Sequence, residues 1–99
     1  MKILTPEQLR TLLAEFKACH GAEYHLRALG FFGSYARREV SEESDVDIVF
    51  ETDAPNLFRA ARMREELEQL LGRPVDIVRL RDSMNHRLKA NIEKEAVYV

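Results

Sequence analysis

The chain has 99 residues, 45% of them hydrophobic, 32% charged and 8% aromatic, the profile of one small folded domain with no room for a second. Fifteen Lys and Arg against seventeen Asp and Glu leave a net charge of −2, which argues against a global field drawing the chain onto nucleic acid or anionic lipid. The single cysteine, Cys19, excludes an internal disulfide framework and a cysteine zinc site, and no apolar run reaches the roughly 18 residues of a membrane span. The expectation is a cytoplasmic protein with no membrane and no direct nucleic-acid partner.

Thr5-Pro6-Glu7-Gln8 offers a hydroxyl cap, a proline at the first helical position and an amide three residues after the cap, so a helix starts here. Leu9, Leu12, Leu13 and Phe16 recur at helical spacing, and the pattern stops near His20-Gly21. Tyr24 to Phe32 reads as a strand entering the Gly33-Ser34 turn, with a short helix expected from Ser34 to Arg38. Val46, Ile48 and Phe50 alternate with Asp45, Asp47 and Val49, placing both aspartates on one strand face.

Asn56 to Leu71 carries Leu57, Ala60, Ala61, Arg64, Leu67, Leu70 and Leu71 at helical spacing and ends at Gly72, with Pro74 beyond it. Val75 to Val78 is a short strand with Asp76 facing away from Val75 and Ile77. A helix is expected around Ser83 to Glu93 with Leu88 and Ile92 inward, then an apolar tail from Ala96 to Val99. Helices alternating with strands predict a small α/β (α+β) fold, a mixed sheet of three to four strands packed with helices.

The chemistry concentrates at two places. Gly33-Ser34 lies between a strand and an expected helix, where backbone amides, the Ser34 hydroxyl and the positive helix end could meet a phosphate, although such a dipeptide is more often only a turn. Asp45 and Asp47, about 7 Å apart by strand rise, repel one another among apolar neighbours. A hard cation such as magnesium would supply the missing charge, whereas a solvated acidic strand is the simpler account of an isolated Asp-x-Asp. Asp76 changes that balance. If its strand lies beside Val46 to Phe50, three carboxylates reach one site, and three aspartates with two magnesium ions can align an attacking oxygen with a nucleotide α-phosphate.

Gly33-Ser34-Tyr35-Ala36-Arg37, followed after an acidic connection by Ser44-Asp45-Val46-Asp47-Ile48, resembles the signature of the polymerase-beta-like nucleotidyltransferases. The small size and the ending Glu95-Ala96-Val97-Tyr98 are similar to the minimal nucleotidyltransferases, antitoxins of HEPN toxin pairs. The resemblance implies that Gly33 and Ser34 hold a nucleotide triphosphate, with Ser44 in the same nucleotide-binding set and Arg37 supporting the loop or the phosphates. It implies that Asp45 and Asp47 ligate two Mg2+ ions, and that Asp76 ligates one of them and helps deprotonate the acceptor. It also implies the neighbourhood of Asp76 and Asp47, which spacing alone does not give. The family's glycine after Ala-Arg is Arg38 here; glycine at that place serves a backbone conformation that other residues resist, while arginine offers a further phosphate contact.

The implied activity is transfer of AMP from ATP to a tyrosine of a partner HEPN-domain ribonuclease toxin, silencing it. An antitoxin that neutralises by binding alone and a transferase to a small molecule or RNA remain open alternatives. The Arg81 to His86 spacing matches a HEPN ribonuclease motif by coincidence, since that motif belongs to an all-helical domain. His20 and His25 read as surface residues, and Arg79, Arg81, Arg87 and Lys89 as a solvated basic face or a contact for phosphates or an acidic partner. Tyr35 is expected to pack within its loop, with receipt of a self-transferred AMP the lesser alternative, and Cys19 and the three methionines to lie in or near the core.

Overall fold

Each helix begins where a side-chain oxygen takes up an otherwise free amide. In the computed structural model, which describes residues 4–99, Thr5 Oγ1 accepts from the Gln8 amide at 3.1 Å and Gln8 Oε1 from the Thr5 amide at 2.9 Å, starting α1 (Pro6–His20). Asn56 and Asn85 cap α2 (Leu57–Leu71) and α3 (His86–Glu95) in the same way, through the Arg59 and Leu88 amides at 3.0 Å each. Gly72, in the left-handed conformation at φ 69°, ends α2 and donates to Glu68 O at 2.9 Å. The strands are β1 (Leu26–Phe32), β2 (Val46–Thr52), β3 (Val75–Arg79) and the two-residue β4 (Val97–Tyr98).

The strands form one mixed sheet in the order β3-β2-β1-β4. β1 pairs antiparallel with β2 and β4, whereas β2 and β3 run parallel, joined by α2 as the crossover a parallel pair requires. Period-two burial then gives the sheet two working faces. On one, Leu29, Phe31, Val46, Ile48 and Val75 pack with Leu9, Leu13 and Phe16 of α1 and Met63, Leu67 and Leu71 of α2. On the other, Val49 meets Ile92 of α3 and Met84, with Phe32, Val78 and Leu80 around them. α3 covers this second face only in part, so the aspartates at the start of β2 and β3 stay open.

Several expectations are corrected at element ends. Tyr24 and His25 belong to a turn, with His25 at φ 53°, and the strand starts at Leu26. Ser34 to Arg38 is a hydrogen-bonded turn, not a helix: the Arg37 N–H to Gly33 O bond at 3.0 Å is followed by Arg38 N–H to Tyr35 O at 3.3 Å and Glu39 N–H to Ser34 O at 2.8 Å, which do not continue the α-helical pattern. α3 starts at His86 because Asn85 is its cap, and Leu88 is exposed while Ile92 is fully buried. In α2 the buried stripe is Met63, Leu67 and Leu71, which leaves Leu57 and Leu70 in solvent. Cys19 is exposed; Met63 and Met84 are buried, and Met1 lies outside the described residues.

Candidate active site

Register brings the acidic residues together. In the β2–β3 ladder Asp47 stands directly opposite Asp76, and in the β1–β2 ladder it stands opposite Phe32, so the next residue, Gly33, turns off beside it. Asp45 precedes the first residue of β2 and is exposed, as is Asp76, while Asp47 is half-buried. Burial raises the Asp47 carboxyl above its ordinary value, and the charges of Asp76 and Asp45 raise it further against the pull of Arg37.

Gly33 has two reasons to be glycine. Its φ is +71°, and a Cβ built on it would lie 2.2 Å from Asp47 Oδ2, so the turn backbone rests against the carboxylate. The Gly33 amide donates to Glu95 Oε1 at 3.0 Å. Arg37 reaches both Glu95 oxygens at 3.4 Å and Glu39 at 3.3 Å; the Glu39 contact first, then the charges of Glu39 and Glu95, raise its guanidinium above the ordinary value. Arg38 adopts φ 60°, the conformation that a glycine would take, and its side chain pairs with Glu7 of α1. Tyr35 points inward and is fully buried, with a hydroxyl that has no partner among the described residues.

Ser44 is placed differently from the rest of the motif. Its hydroxyl accepts from the Ser41 amide at 2.9 Å, closing the 41–44 turn, and its carbonyl receives Arg73 Nε at 3.0 Å and Nη2 at 2.9 Å. Ser44 and Arg73 therefore fix the loop that delivers Asp45. Sequence reading missed Arg73, which sits in a turn with no motif of its own, and noticed Glu95 only as part of a C-terminal pattern. His20 stacks near Phe16 beside Glu23, and Lys89 pairs with Asp82 and Glu93, away from this cluster.

A donor set of aspartates with an unbalanced negative charge fits a hard divalent cation. Among the described residues no three His, Cys, Asp or Glu side chains form a preassembled cage. Magnesium suits such a site, because it retains water and completes its shell with substrate phosphates.

With this geometry in view, the model for the nucleotidyltransferase domain matches residues 9–99, and the chain belongs to that family of enzymes. It is similar along its whole length to the protein adenylyltransferase MntA of Thermococcus cleftensis, with 36% identity over 100 residues and 100% of both chains covered. A Methanocaldococcus jannaschii relative, provisionally named a protein adenylyltransferase, is 34% identical and covers 96% of this chain and 98% of its own. Among solved structures, one provisionally assigned as a minimal nucleotidyltransferase superposes with a TM-score of 0.79 at 32% identity, covering 94% of each chain. A toxin–antitoxin crystal structure with AMP-PNP shares the fold at a TM-score of 0.76 and 20% identity, covering 90% of this chain and 70% of its own. The fold is thus that of the minimal nucleotidyltransferases, and no helix among the described residues is long and apolar enough to cross a membrane.

Proposed function

We propose that this chain is a magnesium-dependent protein adenylyltransferase that moves AMP from ATP onto a tyrosine hydroxyl of a partner HEPN-type ribonuclease toxin, and so acts as its antitoxin. The observation that carries this reading is the in-register pairing of Asp47 with Asp76 while the Gly33 turn rests on Asp47. A phosphate-receiving turn and a paired acidic site within contact of each other are what α-phosphoryl chemistry needs. The full-length similarity to a protein named adenylyltransferase supports the class of acceptor.

In this reading Asp45 and Asp47 hold the metals, Asp76 shares one and orients the acceptor hydroxyl, and the Gly33-Ser34 turn with Arg37 receives the triphosphate. Bound magnesium would neutralise the phosphate oxygens and the departing pyrophosphate. The acceptor oxygen attacks the α-phosphorus, its proton passes toward the Asp76 side, and the bond to pyrophosphate breaks as the new phosphodiester forms. The acceptor must come from outside, and the head of α2 supplies a surface for its carrier. Leu57 and Phe58 are each 88% exposed there, beside a pocket of about 440 Å3 whose largely apolar lining, Phe50, Met63 and Ile77 among it, also includes Arg59, Arg79 and Arg81. These arginines have no carboxylate partner among the described residues, so a carrier that pairs apolar groups with acidic ones would complement this surface.

Intact mass spectrometry of a HEPN partner after incubation with this protein, ATP and magnesium tests the proposal, with an Asp45→Asn, Asp47→Asn variant in parallel. The expected result is a gain of whole AMP units with the wild type and none with the variant. A toxin inhibited without any mass gain would replace catalysis with neutralisation by binding.

A further inference from the structure

The turn's donors already hold an internal anion. Glu95 is the last residue of α3, and the two residues after it are tied down: Ala96 N–H bonds to Ile92 O at 2.8 Å, and Val97 pairs with Phe31 of β1. From that fixed point the carboxylate, 26% exposed, accepts the Gly33 amide at 3.0 Å and meets Arg37 Nη1 at 3.4 Å. A carboxylate at a helix C-terminus is disfavoured by the helix dipole, and this one also faces the aspartate cluster. Local energetics would not place it there, so the two contacts across 62 and 58 residues compensate.

We infer that Glu95 is a positioning residue for adenylyl transfer: by holding the Gly33 amide and Arg37, it fixes the turn against Asp47 and sets where the nucleotide phosphates are received. The inference rests on the adenylyl-transfer reading above and deepens it. A shift of Gly33 toward β2 runs directly into Asp47 Oδ2, so a tie on Gly33 is also a restraint on the carboxylate. With Gly33 N–H engaged, the amides of Ser34 and Ala36, both on half-buried residues, have no acceptor among the described residues, while Tyr35 is fully buried. These two are the turn donors left to a phosphate, and the contribution of Gly33 is its conformation.

A contrary account makes Glu95 a plug that the triphosphate must displace from the same donors. The two accounts differ in sign. If Glu95 positions the turn, its removal weakens ATP binding; if it plugs the turn, removal tightens it.

The experiment compares wild type, Glu95→Gln and Glu95→Ala in three measurements: KM for ATP and kcat in magnesium-dependent AMP transfer to the HEPN partner, calorimetric affinity for AMP-PNP with magnesium, and thermal melting. Glu95→Ala is expected to raise KM and weaken AMP-PNP binding by about tenfold, with a smaller change in kcat. Glu95→Gln keeps an acceptor for Gly33 and loses the charge facing Arg37, so it recovers part of that loss. If Glu95→Ala does not fold, Glu95→Gln carries the comparison. An unchanged or lower KM in a folded variant, with an active wild type, overturns the inference alone. A wild type that neither binds AMP-PNP nor transfers AMP overturns the adenylyl-transfer reading and the inference with it.

Discussion

Gly33→Ala separates a backbone cost from a cost at Asp47. At φ +71° any L-residue loses about 1–2 kcal/mol to the left-handed conformation. The added Cβ then falls 2.2 Å from Asp47 Oδ2, about 1.2 Å short of the 3.4 Å at which ordinary contact begins. Because the atom struck is the end of a side chain, the carboxylate swings away from its rotamer at a further cost of about 1 kcal/mol. Gly72→Ala is the matched control, with φ +69° and nothing within 4 Å of the new methyl.

Since about 1 kcal/mol moves the melting temperature of a domain this size by roughly 4–8 °C, both variants melt lower, and Gly33→Ala melts lower than Gly72→Ala by about that interval. Activity separates them more sharply. In the role proposed for Asp47, a displacement of its carboxylate by about an ångström costs on the order of a hundredfold in kcat/KM, whereas Gly72→Ala leaves transfer intact. Circular dichroism melts and a radiolabelled AMP-transfer assay give both numbers. Equal melting temperatures together with equal activities would refute the contact between Gly33 and Asp47.

Asp47→Asn should stabilise the metal-free protein while abolishing transfer. The folded Asp47 carboxyl titrates above its unfolded value, so its ionised form opposes folding at neutral pH, and that penalty fades as pH falls through the folded value toward 3.8. The gain in melting temperature should therefore be present at pH 7 and absent below about pH 4; a gain independent of pH would point to packing instead. Tyr35→Phe removes a buried hydroxyl with no partner among the described residues, and calorimetry should find it neutral or stabilising by up to about 1 kcal/mol, with a clear loss indicating an ordered water partner. Phe58→Asp, on a side chain 88% exposed, should alter stability by no more than about 0.5 kcal/mol yet weaken co-elution with the HEPN partner. Undiminished co-elution would remove the head of α2 from the interface.

Local chemistry made much of this protein readable from its sequence. The capping box at Thr5 and Gln8, the Asn56 cap and the Gly72 stop act within one helical turn, and their helices stand where the residues place them. The alternation through Asp47 to Phe50 is equally local, since period two sorts a strand's side chains onto two faces whatever the partner strand is. The Gly-Ser and Asp-x-Asp elements were legible for the same reason, and their resemblance to a known signature joined them into one candidate site.

Tertiary structure decided what depends on distant partners. Whether Asp76 stands opposite Asp47 is a matter of strand order and register, set by the α2 crossover and the packing of both sheet faces rather than by the spacing of the two aspartates. The turn at Ser34 to Arg38 did not become a helix because Tyr35 turns into the core and Arg38 takes a left-handed backbone, choices that the neighbouring residues alone do not dictate. Glu95 and Gly33 meet across 62 residues only because β4 pairs with β1, a contact that exists in the folded sheet and has no counterpart in the local sequence.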